Sequence, residues 1–106
     1  MVRLRFPYTL SNFGGLGKTM AYKELVRWLL SKWTVKVRKD HRWKQWKMAE
    51  ALRITDRAYS DLEHGKYCFS AISLLFLMLV MTQEQREEML REFEAMVASV
   101  EELEAV

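Results

Sequence analysis

From Tyr22 onward, apolar residues recur three and four positions apart, and a chain patterned in this way folds into helices rather than sheet. Tyr22, Leu25, Val26, Leu29, Leu30, Trp33 and Val37 make one stripe, with Lys23, Glu24, Arg27 and Lys32 on the wet side. This first helix is expected over about residues 20–40, stopping before Trp43. A short second helix follows over Gln45–Leu52, with Met48, Ala49 and Leu52 turned inward. Thr55 is a suitable N-cap for a third helix reaching His64, with Tyr59 and Leu62 as its inner side and Gly65 as its stop. Ser70 caps a fourth, Ala71–Met81. Thr82 caps a fifth, Gln83 to about Ala105, whose Glu84, Glu87 and Glu88 lie near the positive end of its dipole. The expected fold class is all-α, with five helices.

At 106 residues there is material for one domain. A single cysteine, Cys68, excludes an internal disulfide framework, and no Cys/His cluster has zinc spacing. Arg3 and Arg5 are not followed by an apolar segment of the signal-peptide kind, so a reducing, cytoplasmic setting is expected. No cofactor is implied. The net charge of +3 conceals a split. Residues 1–70 hold 15 Lys/Arg against 6 Asp/Glu, a net of +9, and residues 71–106 hold 2 against 8, a net of −6. A basic front with an acidic tail suits a chain that shows one face to a polyanion. Residues 1–19 read as an irregular arm: Val2, Leu4, Phe6 and Tyr8 alternate weakly with Arg3, Arg5 and Pro7, and three glycines follow. Residues 20–82 then form the main domain and 83–106 a C-terminal amphipathic helix.

The run from Gln45 to Gly65, QWKMAEALRITDRAYSDLEHG, resembles the helix-turn-helix of the Xre/Cro family of phage-type repressors. Gln45, Met48, Ala49, Leu52, Ile54, Thr55, Tyr59, Ser60, Leu62, Glu63 and Gly65 carry the match, which continues through Lys66 and Ser70 into Leu74 and Leu75. Ala49 is small where two helices must cross closely. Thr55 caps the helix whose exposed N-terminal half enters a major groove about 12 Å wide. The resemblance implies a lambda-repressor-like domain that binds double-stranded DNA as a dimeric transcriptional regulator, most simply a repressor. By the same pattern, base contacts fall to Gln45, Asp56, Arg57, Ser60 and Asp61. Phosphate contacts fall to Lys44, Lys47, Arg53 and Lys66, with Arg38, Lys39 and Arg42 nearby. The chain departs from the family at Arg53, which stands in place of the turn glycine, where a left-handed backbone would cost about 1 kcal/mol or more. Asp56 and Asp61 place negative charge on a helix meant to approach phosphate.

The fourth helix is apolar all round (Ile72, Leu74 to Met81), too short to span a bilayer, and so expected to be covered on every side. In the fifth, Met89, Phe93, Met96, Val100 and Leu103 are spaced 4-3-4-3, widened by Leu90 and Val97. With Phe76 they are expected to join two chains across a twofold axis, the alternative being a fifth helix folded back on its own chain. Gly14-Gly-Leu-Gly-Lys-Thr19 is like the end of a phosphate-binding loop, but Asn12 stands where its first glycine belongs. His41 and His64 are expected at the surface and Cys68 half-buried. With no nucleophile–base pair, the chain is not expected to be an enzyme. The competing function is a protein-interaction module, such as an antitoxin or adaptor, that keeps the repressor fold and binds a protein partner.

Overall fold

The computed structural model describes the backbone of residues 17–105 and the side chains of residues 21–102. The alternating stretch Val2–Tyr8 and Gly14–Gly15 lie outside the described residues, as does the side chain of Leu103. The described chain is five helices: α1 (Gly17–Asp40), α2 (Gln45–Leu52), α3 (Asp56–Glu63), α4 (Ala71–Val80) and α5 (Gln83–Ala105). Helix α1 starts at Gly17, so the last three residues assigned to the arm are already helical.

Local chemistry accounts for the boundaries. Thr55 Oγ1 accepts from the Ala58 N–H (3.1 Å) and Ser70 Oγ from the Ser73 N–H (3.1 Å), so each cap satisfies a donor that its helix cannot. Thr82 forms a full capping box. Its hydroxyl accepts from the Gln85 N–H (3.1 Å), and the Gln85 side chain accepts from the Thr82 N–H (2.9 Å). Gly65 ends α3 at φ +72°. A Cβ there would meet nothing nearer than Ser31 Oγ at 4.0 Å, so the requirement for glycine is conformational, not spatial.

Helices α1 and α5 lie antiparallel. Tyr22 Oη donates to Glu101 (3.2 Å), Lys32 Nζ to Glu92 (2.6 Å) and Gln85 Nε2 to Asp40 (2.9 Å), three rungs that run up one helix and down the other. Between them Leu25, Leu29, Trp33, Val37, Met89, Met96 and Val100 are buried. This corrects the expected dimer seam. Met89, Met96 and Val100 are consumed inside one chain, with Phe93 half-buried against the same core, because α1 offers α5 a matching stripe.

The small helices close the other side of α1. Met48, Ala49, Leu52, Tyr59 and Leu77 are fully buried at the junction of α2, α3 and α4. Helix α4 does not meet the expectation of cover on every side. Leu77 and Ser73 point inward, whereas Ile72 is 68%, Leu75 63% and Leu79 77% exposed. The physical reason is direction: α5 turns away along α1 after Thr82, and no other described helix lies over the outer face. No helix of the described chain is long and apolar enough to cross a membrane.

Candidate nucleic-acid interface

The site is built on the junction of α2 and α3. At its centre Ala49 is fully buried, and its small methyl side chain lets the two helices approach. The turn leaves α2 through Arg53 at φ +60°, ψ +41°, the left-handed conformation that glycine would adopt without strain. The Arg53 N–H is satisfied by the carbonyls of Ala49 and Glu50. Its guanidinium lies 4.3 Å from the Phe76 ring centre, a contact that offsets part of the backbone cost. The Ile54 N–H then bonds the Ala49 carbonyl (3.0 Å), and Thr55 starts α3. A second left-handed residue, Arg42 at φ +59°, shapes the turn between α1 and α2.

A largely buried polar cluster fixes α3 against α1. Arg38 donates to Glu63 through Nε (2.9 Å) and Nη2 (3.0 Å), a two-point pairing, and through Nη1 to the Trp43 carbonyl (3.0 Å). Gln45 Nε2 donates to the same carboxylate (3.0 Å), and Ser31 Oγ to the Glu63 carbonyl (2.6 Å). Glu63 at the end of α3 is thereby tied to α1 and to the first residue of α2, and its partner Arg38 to the turn. Burial works against the charge on Glu63, but the hydrogen bonds from Arg38 and Gln45 outweigh it and hold its carboxyl below the usual range. The Tyr59 phenol beside them is pushed above its ordinary value, chiefly by burial and then by the carboxylate.

With Tyr59 and Leu62 turned inward, α3 presents its opposite side to solvent. Thr55, Asp56, Arg57 and Ala58 are exposed; Ser60 and Asp61 are half-buried. Among the described residues neither Asp56 nor Arg57 has an ion-pair partner. Asp61 is paired with Lys66 (3.7 Å), so its charge is partly compensated before any ligand arrives. His64 turns back to the Ser60 carbonyl (2.7 Å) and is not available as a free imidazole edge on that side. On the end of α1, the turn after it and α2, Lys39, Arg42 and Lys44 are exposed and unpaired among the described residues, and Lys47 makes only an exposed pair with Glu50 (3.4 Å). Such pairs hold little energy and yield readily to a phosphate. Trp46 on α2 is 55% exposed, and Tyr67 after α3 is exposed as well.

Two sequence expectations are corrected here. Arg38 was grouped with the phosphate-facing cations, but it is spent internally on Glu63. Cys68 is exposed, not half-buried, because the segment between Gly65 and Ser70 runs over the surface. Gln45 is exposed at the first turn of α2, where a base or phosphate contact requires it, but its amide is already oriented by Glu63. The Arg38–Glu63–Gln45 cluster was missed. The signals for it were the glutamate of the Glu-x-Gly ending and a basic residue in the last turn of the first helix. No family model, curated protein or solved structure matches the chain.

Proposed function

We propose that this chain is a sequence-specific DNA-binding regulator of lambda-repressor-like fold, which reads the major groove with the N-terminal half of α3. The observation that carries the proposal is the exposed, unpaired first turn of α3, held on a frame fixed by Ala49 and by the Arg38–Glu63 pair. A helix that is to enter a groove must stand clear of its own support, and Thr55 to Ala58 do so. Arg57 has the donor geometry for guanine O6 and N7, and Asp56 can accept from cytosine N4. Lys44, Lys47, Arg53 and Lys66, with Lys39 and Arg42, supply phosphate contacts; these would provide most of the affinity and its salt dependence. Acting by occupying an operator, the protein would work in the cytoplasm. A second reading, a protein-interaction module on the same fold, draws on the uncovered apolar face of α4.

The deciding experiment is selection of bound duplexes from a random-sequence pool, followed by fluorescence anisotropy on the enriched sequence across a salt series. A recurrent motif is expected, with the logarithm of affinity falling by roughly 0.9 per phosphate contact for each logarithm of salt. No enrichment, with no salt-sensitive binding at low ionic strength, would remove the DNA-reading role.

A further inference from the structure

The outer face of α4 plays no part in the site just described. Ile72, Leu75 and Leu79 lie one turn apart on a single stripe, each more than 60% exposed. A contiguous apolar patch of this kind marks an interaction site. With Phe76, Met78 and Arg86 the stripe lines an open groove of about 540 Å³. Helical spacing puts Phe76 and Met78 on opposite sides of the stripe, and each side carries a cation. The Arg53 guanidinium stands 4.3 Å from the Phe76 ring centre and donates to the Ala51 carbonyl (2.5 Å). On the other side Arg86 donates to the Met78 (2.5 Å) and Met81 (2.7 Å) carbonyls. Among the described residues neither guanidinium has a carboxylate partner, and no Asp or Glu lines the groove. Glu87, next to Arg86 in the chain, accepts from Gln83 Nε2 (3.2 Å) and is not part of the lining.

We infer that this groove holds one helix of a different protein, whose apolar residues, three and four apart, are flanked on both sides by Asp or Glu. The occupant is helical because α4 has no backbone group to offer. Its own are spent within the helix, on the Ser70 cap and on Arg86. An extended peptide laid along the stripe would lose water from its N–H and carbonyl groups and find no partner for them. A helix arrives with its backbone already paired, and side chains at i, i+3 and i+7 match the rise from Ile72 to Leu79, about 10 Å. The flanks are acidic because the cations stand at the two edges. A carboxylate on one side would meet Arg53 and on the other Arg86, each a charge-assisted hydrogen bond. The same cations argue against a second copy, which would bring further guanidinium groups to a contact whose lining has no carboxylate to receive them. Met78 gives the wall a side chain that adjusts to the incoming helix. A recess between α4 and the start of α5 also takes a rod better than flat lipid.

The contact is read without DNA. The full chain is used to select from a displayed library of short peptides built on an alanine-rich helical frame with the remaining positions random. Enriched sequences are expected to carry Leu, Ile, Met or Phe at i, i+3 and i+7, with Asp or Glu beside them. One enriched peptide, titrated by fluorescence anisotropy, should bind Leu75→Glu about thirtyfold more weakly. Leu75 is exposed in the folded chain, so helical circular dichroism should not change. Arg53→Gly should weaken the same peptide about fivefold and flatten the salt dependence of its binding. Glycine adopts the left-handed turn at this position without strain, so the variant should keep the fold. Enrichment of no helical sequence, or of one with basic flanks, overturns the inference, as does binding indifferent to Leu75→Glu or to Arg53→Gly. If Leu75→Glu instead abolishes self-association in sedimentation, or adsorption to phosphatidylglycerol vesicles, the face belongs to a second copy or to lipid and the inference fails. A peptide motif without a DNA motif leaves the groove standing and removes the reading role of α3; a DNA motif without a peptide motif does the reverse.

Discussion

Helices α3 and α4 are built alike on the inside and oppositely on the outside. Both are short, begin on a hydroxyl cap, and bury two residues: Tyr59 and Leu62 in one, Ser73 and Leu77 in the other, with Tyr59 and Leu77 in one shared core. Their outer faces divide. Helix α3 shows Asp56 and Arg57, whereas α4 shows Ile72, Leu75 and Leu79. The inner face decides where a helix sits, and the outer face decides what it can meet. A charged outer face is stable in water and selects partners by pairing. An apolar one gains by leaving water and selects by shape.

That contrast can be attacked first on the inner side of α4. Leu77→Ala should lower stability by about 2–5 kcal/mol, read from urea unfolding, because the side chain is fully buried and leaves a cavity. On α3 the comparable substitution is polar. Glu63→Ala leaves Arg38 largely buried with its carboxylate removed, and should cost about 2–4 kcal/mol. Because the folded carboxyl of Glu63 lies below its usual value of 4.5, its stabilisation is complete above that value and is lost as pH falls through the folded one. Unfolding midpoints between pH 5 and pH 2 should therefore fall less steeply for Glu63→Gln than for the parent chain. On the outer side, Arg57→Ala should leave stability unchanged and weaken binding to the selected duplex by about 1–3 kcal/mol, while binding to unrelated DNA barely shifts. The caps should be equivalent: Thr55→Ala and Ser70→Ala are each expected to cost about 1 kcal/mol by thermal unfolding. The smallest effect belongs to the outer face of α4. Leu79→Ala should alter the stability of the single chain by less than about 0.5 kcal/mol at nanomolar concentration. A loss like that of Leu77→Ala would mean the stripe is covered after all, and the contrast between the two helices would fail.

What was legible in the sequence was mostly local. Thr55, Ser70, Thr82 and Gly65 act within four residues of themselves, so four helix boundaries could be read from single side chains and agree with the structure. The strained turn at Arg53 was readable for the same reason. Pairings at a distance were not. Arg38 and Glu63 are 25 residues apart, and a basic residue at the end of a long helix looks like any solvated one until its partner is placed. The 4-3-4-3 spacing in α5 correctly marked a buried stripe, but spacing says nothing about whether the covering helix is α1 or a second chain. In α4 the pattern pointed to cover on every side, which the structure does not show. Ten residues with almost no polar member have no wet side to identify, so the one face that is covered could not be told from the faces that are open.

The antiparallel pair of α1 and α5 has a consequence for how such a chain comes to be made. Tyr22 and Glu101 are bonded across 79 positions, and everything from α2 to α4 is strung between those two helices. On the ribosome, α1 emerges with Leu25, Leu29 and Trp33 open to water, and they stay open until residues near Val100 have been added. The inner face of α1 is therefore closed only once α5 has followed the helices strung between them. A chain cut short before α5 would keep this stripe in water and be exposed to proteolysis.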